Sequence, residues 1–481
     1  MITCYSLFLM RNSSLTMKRN NKAAMKALLF SGLLFFVLIV SCTNSKRPAE
    51  APDREAFLSD LKQRTFNYFW EQVDMPTWGI PDRYPSRRFT SIAATGFGLT
   101  SYLVGIENGY ITREQGAGRV LNTLRWFWHS KQGPEKSGVT GYKGFYYHFL
   151  TYGDGERFEN TELSTIDTGL LMAGILSCQS YFDGDNTEET SIRALADSLY
   201  LRVQWDWAMN GLDAMSMGYH PGQGFLKAKW VGYNEAMVLV LMAMGSPTHP
   251  IGDSAWSTWC KPYVWADFYG YDMINFSPLF GHQYSQMYVD FRGIQDAYTR
   301  SKGIDYFENS RRATLGNRAY CIDNPKAYDG YSDNIWGLTA CDGPGHSEQM
   351  TDHGLRQFWS YRARGASAID TIDDGTIAPT AAGGSIPFAP DECINALMTM
   401  KAQYGDSLYR KYGFCDAFNM TYKTSSGKKG WFDVDYIGID QGPILIQLEN
   451  YQTGLIWDVM KKNKYIVAGL RRAGFSGGWL E

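Results

Sequence analysis

The sequence predicts an all-α fold, an (α/α)6 toroid barrel with long loops and minor β-structure. Apolar residues recur at helical spacing in a long series of segments. Three of these share a Thr-Gly pair near an apolar run: Ala94-Thr95-Gly96-Phe97-Gly98-Leu99, Asp167-Thr168-Gly169-Leu170-Leu171 and Tyr451-Gln452-Thr453-Gly454-Leu455. Glycine there lets two helix backbones approach closely, and a packing unit that repeats along the chain suggests a ring of helical hairpins. Neither βαβ alternation nor a Gly-rich phosphate fingerprint is present, which argues against a nucleotide-binding α/β fold. A less regular helical domain is the competing expectation.

At the N-terminus, Lys18, Arg19, Lys22 and Lys26 precede an apolar run from Ala27 to Val40 that is short for a membrane span. The run ends in Leu38-Ile39-Val40-Ser41-Cys42, a small residue directly before a cysteine as in a lipobox. Residues 1–42 therefore read as a lipoprotein signal peptide, with Met17 the better start and Cys42 the lipidated residue. Residues 43–53 are polar and Pro-containing and read as a flexible tether. Residues 54–481 read as one domain. A lipid-anchored protein is expected, and because no acidic run of the kind that sends some lipoproteins to the cell surface follows Cys42, periplasmic and outward-facing placements both stay open.

Within the domain, helices are predicted from Glu55 to Gln72, Ser91 to Glu107, Arg113 to Trp128, Glu162 to Phe182, Glu188 to Trp207 and Asn234 to Met244. Further ones are predicted at Phe291 to Arg300, Tyr306 to Arg312, Asp391 to Tyr404 and Ile444 to Lys462. The connections Gly133 to Asn160 and Ala319 to Ser347 are long and rich in Gly and aromatics, a length that usually signals function. Only Phe145 to Leu150 and the neighbourhood of Trp431 to Tyr436 look extended.

The net charge of −3 argues against a nucleic-acid partner, which would need a basic surface, and a neutral ligand fits better. Aromatic residues make up 15%, with 15 Trp. Tyr142, Tyr146, Tyr147, Trp230, Tyr233, Trp336 and Trp431 stand outside obvious core periodicity, and the apolar faces of sugar rings stack on such groups. Core burial is the plain alternative for each. Cys178, Cys260, Cys321, Cys341, Cys393 and Cys415 permit disulfides without demanding them, Cys178 reading as a buried free thiol. The 7 scattered His and the lack of zinc-like spacing give a metal centre no support.

Two segments read as site-building loops rather than helix or strand interiors: Trp336 to Pro344 and Thr376 to Ala382. Acids with catalytic potential stand at loop-to-helix junctions. Glu235, in Trp230-Val231-Gly232-Tyr233-Asn234-Glu235, directly precedes a strongly apolar helix, where shielding would raise its pKa toward that of a general acid. Asp440, in Gly438-Ile439-Asp440-Gln441-Gly442-Pro443, is the candidate base, with an N-cap as its plain reading. Glu162 and Asp167 are five residues apart, which on a helix puts them about 140° from each other, so both line a cleft only if the segment begins as a loop. Asp391-Glu392 after Pro390 is a fourth acidic place, and helix capping is favoured there.

Taken in order, Ser91 to Phe97, Asp167-Thr168-Gly169, Gly232-Tyr233-Asn234-Glu235, the Trp336 and Thr376 segments with Pro387-Phe388-Ala389-Pro390, and Asp440-Gln441-Gly442-Pro443 resemble the glucoamylase-like domain of glycoside hydrolase family 144. The likeness runs from about Phe57 to the C-terminus, with Cys341 standing where serine is expected. It implies an (α/α)6 barrel and an inverting hydrolase of β-1,2-glucan or its oligosaccharides, with no metal or organic cofactor. Glu235, Asp440 and Asp167 are then the expected catalytic acids. Glu162, Trp230, Tyr233, Asn234, Trp336, Asp342, Asp391 and Gln441 are the expected substrate contacts, and a monomer is expected. A non-catalytic glycan-binding lipoprotein is the reading from a different class, and a phosphorolytic enzyme a third. Endo and exo cleavage are not separable from the sequence.

Overall fold

The structure, a computed structural model, describes residues 53–481. The signal peptide, Cys42 and all but the last residue of the tether lie outside them. The helices in chain order are α1 (Arg54–Glu71), α2 (Ile92–Glu107), α3 (Arg113–His129), α4 (Thr165–Tyr181), α5 (Thr187–Leu201), α6 (Trp205–Ala208), α7 (Met237–Gly245) and α8 (Ser254–Cys260). They continue as α9 (Phe280–Tyr288), α10 (Ala297–Lys302), α11 (Tyr306–Asp323), α12 (Pro379–Gly383), α13 (Pro390–Tyr404), α14 (Gly438–Gln452), α15 (Leu455–Lys461) and α16 (Lys464–Arg472).

Helices α2, α4, α7, α9, α12 and α14 are buried on nearly every face, as helices of an inner ring must be. They form a closed circuit: α2 packs on α4 and α14, α4 on α7, α7 on α9, and α14 on α12 and α9. Gln283 of α9 closes the gap to α12, donating from Nε2 to the Ala381 carbonyl (2.9 Å) and the Ser385 hydroxyl (2.8 Å). Between them in sequence come α1, α3, α5, α8, α11 and α13, which keep an exposed face. That alternation is the (α/α)6 barrel.

Glycine sets the closest crossings. A methyl group at Gly96 would stand 2.4 Å from the Leu170 carbonyl oxygen, and one at Gly174 would stand 2.1 Å from that of Gly96, so α2 and α4 touch backbone to backbone. The third Thr-Gly pair works differently. Gly454 has φ +75° and separates α14 from α15, so the helix predicted from Ile444 to Lys462 is broken there.

Short strands gather at one mouth of the barrel and lead into the inner helices. Phe89–Ser91 runs into α2, Leu163–Ser164 into α4, Thr376–Ile377 by one residue into α12, and Tyr436–Ile437 into α14. The largest sheet orders Gly141–Tyr142, Phe145–Tyr147, Leu163–Ser164, Gly218–His220 and Gly224–Phe225 side by side. The Thr376 to Ala382 segment, expected as a loop, is thus a strand followed by a helix started by Pro379.

Other differences have local causes. The predicted helix from Phe291 begins only at Ala297, where Asp296 and Thr299 make a capping box, because Gly293 takes φ +73°. Helix α4 starts at Thr165 rather than Glu162 because Ser164 caps it. Helix α5 ends at Leu201, α7 starts at Met237, and α11 runs on to Asp323, well past Arg312. Helices α8, α9 and α16 were not predicted; α8 and α9 are short and flanked by aromatic turns without clean periodicity. All six cysteines of the described residues are free thiols, Cys178 among the buried ones.

Candidate active site

Asp167 and Asp440 occupy the same place in two inner helices, the third residue of α4 and of α14. A helix N-terminus carries partial positive charge and favours a carboxylate. The two helices start at the same mouth, so both acids face it. Asp167 accepts from the Ser164 hydroxyl, and Ser164 Oγ in turn accepts from the Asp167 backbone N–H (3.2 Å). Asp440 does not cap its helix, whose N-cap is Ile437 without a side-chain bond.

His148, which the sequence reading passed over, joins two predicted acids. Its Nδ1 lies 2.8 Å from Glu162 Oε1 and its Nε2 lies 3.5 Å from Asp167 Oδ1. Because the chain is still extended at Leu163 and Ser164, the helical 140° separation does not apply and both acids reach one imidazole. Burial opposes charge on His148, but Asp167, Glu162 and Asp82 outweigh it and raise its pKa to about 9. Glu162 is lowered: burial works against this, and the bond and charge of His148 prevail. Asp167 is raised, burial outweighing the help of His148 and Ser164.

Glu235 sits in the turn before α7, half-buried, its carbonyl accepting from the Ser285 hydroxyl (2.8 Å). Burial pushes its carboxyl up to about 7, and the charge of Asp167 adds to this. The residues around it hold the turn in place. Trp230 donates from Nε1 to Thr165 Oγ1 (2.8 Å), Tyr233 stacks on Tyr306, and Asn234 Oδ1 accepts from the Ala236 N–H (3.0 Å). All three are buried and support the turn that carries Glu235.

Across the mouth, Asp440 belongs to a cluster of acids gathered by loops far apart in sequence. The Asp342 N–H donates to Asp416 Oδ2 (2.7 Å), and the Phe414 carbonyl accepts from Gln441 Nε2 (2.9 Å), which holds the Asp416 loop against the first turn of α14, where Asp416 and Asp440 shift each other's titration. Carboxylate oxygens of Asp342, Asp433 and Asp435 lie within 4.8 Å of one another. Arg83 supplies positive charge, bound to Asp82 (3.0 Å) and to Asp342. Burial raises Asp440 to about 7 and Asp433 to about 7, and lifts Asp416 well above the carboxylate range. Of this group only Asp440 and Asp342 were singled out from the sequence. Asp433-Val434-Asp435, two acids one strand period apart beside a predicted extended run, was the one signal available for the rest.

One buried side chain feels the charge of all three acids expected to be catalytic. The Tyr284 phenol is held well above its ordinary range, by burial first and then by Asp440, Tyr361, Glu235 and Asp167 together. Tyr361 offers the mouth an aromatic surface, 45% exposed, with its hydroxyl among Asp440, Asp416 and Asp82. Trp336, expected to stack on sugar, is 0% exposed and belongs to the core. Gln441 is also buried, donating to the Phe414 carbonyl (2.9 Å). Asp391 pairs with Arg54 (2.7 Å) close to Tyr451, at the other end of α14 from Asp440, and its role is at a helix start.

Residues 227–464 match a family model described as "Putative glucoamylase". A crystal structure described in the same words, from Bacteroides uniformis, shares 32% identity, covering 90% of this chain and 100% of the other with a TM-score of 0.78. The endo-β-1,2-glucanase of Chitinophaga pinensis, solved with sophorotriose and glucose, shares 28%, covering 89% and 100%, with a TM-score of 0.76. An exo-β-1,2-glucooligosaccharide sophorohydrolase (non-reducing end) of Parabacteroides distasonis is 28% identical over 452 residues, 87% of this chain. The chain spans 58% of that relative's length.

Proposed function

Since the chain belongs to the glucoamylase-like family, glycoside hydrolase family 144, we propose that it hydrolyses β-1,2-glucosidic bonds in β-1,2-glucan or its oligosaccharides. The reading is supported by the charges of Glu235, Asp167 and Asp440, all of which reach the buried phenol of Tyr284. Glycoside hydrolysis needs one carboxyl that is protonated near neutral pH and one that is ionised. Glu235, raised to about 7 by burial, is the general acid that protonates the leaving oxygen. Asp440, inside its acid cluster, takes the proton of the attacking water. Asp167, tied to His148, holds a sugar hydroxyl and keeps Glu235 protonated by its charge. Tyr361 gives a sugar ring a face to stack on. Direct attack of water inverts the anomeric centre. The activities of the C. pinensis and P. distasonis relatives support the substrate.

The signal and lipobox of residues 1–42 support a lipid-anchored protein facing the periplasm or the cell exterior, and we take it to act as a monomer. A time course of product sizes from linear β-1,2-glucan tests substrate, reaction and mode together. A ladder of sizes marks endo cleavage and sophorose alone marks exo cleavage. Binding without new products would overturn the reading in favour of a glycan-binding protein, and products formed only with phosphate would make the enzyme a phosphorylase. NMR of the first-formed anomer tests inversion.

A further inference from the structure

Asp416 and Asp440 come from different parts of the chain, a loop between the strands Gly413–Phe414 and Phe418–Lys423 and the first turn of α14. Both are buried, at 2% and 3% exposure. Each has one fully buried oxygen without a hydrogen-bonding partner, Oδ1 of Asp416 and Oδ2 of Asp440. The Gln441 bond to the Phe414 carbonyl holds the two segments together, and a proton shared between the two carboxyls would satisfy both oxygens, since two bare carboxylates repel and lack a donor. Asp416 Oδ2 already accepts the Asp342 N–H, which leaves Oδ1 as the oxygen that can carry hydrogen.

We propose that Asp416 is the positioning residue of the base: a neutral carboxylic acid that donates an O–H hydrogen bond to Asp440 and holds it ionised and aimed into the mouth. This rests on the reading of Asp440 as base. The groups around the pair agree. Asp440 faces Asp416, Asp342, Asp82 and Arg83, with Tyr284, Tyr361 and Cys341 also in reach. Asp416 faces Asp440, Asp342 and Asp433. Arg364 also reaches the Asp342 carbonyl (3.4 Å), but burial and the neighbouring acids outweigh the cations, so Asp416 gives up its proton last, while the bond it donates pulls Asp440 down from where burial alone would put it. No net proton transfer passes through Asp416; the proton taken from water ends on Asp440.

Asn is the isostere of this state, with its Oδ1 for the Asp342 N–H and its NH2 for Asp440. Asp416→Asn is expected to keep kcat within about threefold, whereas Asp416→Ala, lacking the donor, loses roughly tenfold or more with KM little changed. In Asp416→Ala the acidic limb of kcat/KM moves to higher pH. Infrared titration of the whole chain needs no substrate. The protonated-carboxyl band that survives to the highest pH is expected in wild type and in Asp440→Asn, and to be missing in Asp416→Asn. Survival of that band in Asp416→Asn overturns the proposal, as does loss of activity in Asp416→Asn equal to that in Asp440→Asn. A band that is absent from wild type until Ca2+ is chelated also overturns it, since a cation and not a proton would then neutralise the cluster. Were Asp440→Asn fully active, the base reading would fail while the infrared result still judged the pair.

Discussion

The hydroxyl of Tyr284 donates to the carbonyl oxygen of Ile439 at 3.0 Å. In a regular helix that carbonyl would accept from residue 443, but Pro443 has no N–H. The tyrosine of α9 therefore stands in for a missing helix bond in the turn that carries Asp440. Tyr284→Phe leaves the half-buried carbonyl without its donor, at a cost of about 1 kcal/mol, and frees the turn to shift. The expected result is a lower melting temperature together with a fall in kcat larger than any change in KM, measured on linear β-1,2-glucan.

Glu235→Gln should abolish cleavage with the fold intact, since the amide cannot protonate a leaving oxygen. The wild-type rate should fall as pH rises past about 7, where Glu235 loses its proton, and fall on the acid side as Asp440 gains one. Stability has its own sign. A carboxyl whose folded pKa is raised from 4.5 to about 7 binds more protons folded than unfolded in that window, so it destabilises the fold as pH climbs through it. Glu235→Gln removes this penalty. Allowing for solvent at the half-buried site, the variant should gain on the order of 1 kcal/mol at pH 8 and nothing at pH 4, read from denaturant midpoints at the two pH values.

The ring of helices was legible because the inner and outer helices repeat one pattern of apolar spacing, and Gly96 and Gly169 mark close crossings that any sequence reader can find. Glu235, Asp167 and Asp440 were legible because each precedes or opens a strongly apolar helix. His148, Arg83 and Asp416 were not. They lie in irregular strands and turns whose neighbours are 14 (Glu162) to 333 (Asp416 to Arg83) positions away, and no local spacing announces contacts of that range. Trp336 failed in the opposite direction, its loop-like surroundings hiding a residue that the Thr376 segment buries against the core.

Replacing His148 by Gln leaves Glu162 and Asp167 without their shared cation. A histidine whose pKa rises on folding stabilises most below its unfolded value and loses that contribution as pH passes its folded value. The stability gap between wild type and His148→Gln should thus be widest near pH 6 and close as pH rises through about 9. A gap that does not vary with pH would mean the imidazole is held neutral. Activity should fall with a rise in KM, because Asp167 loses its fixed orientation.

Asp391→Ala serves as the contrasting case. Its partner Arg54 and its own side chain, 78% exposed, lie at the far end of the barrel from the acids. An exposed pair contributes about 0–1 kcal/mol, and less in salt. Cleavage by Asp391→Ala should match wild type, measured as initial rate at saturating glucan; a marked loss would return this residue to the substrate path.

Arg364 and Asp374 form a two-bond ion pair (2.7 and 2.8 Å) in which both side chains are 0% exposed. The pair joins two segments: Arg364 also donates to the Cys341 carbonyl (2.8 Å), and Asp374 accepts from the Thr376 N–H (3.2 Å). Cys341 precedes Asp342, whose N–H anchors Asp416. Removing one partner strands a buried charge, so Asp374→Ala should cost about 3–5 kcal/mol. The double variant Arg364→Met, Asp374→Leu should recover much of that stability, since apolar residues of similar volume avoid the desolvation that the ions suffer. It should not recover activity, because the Cys341 carbonyl then has no donor and Asp342 is free to drift from Asp416. Thermal melting and kcat measured on the two variants therefore part ways, and recovery of both together would show that the pair holds the fold without orienting the site.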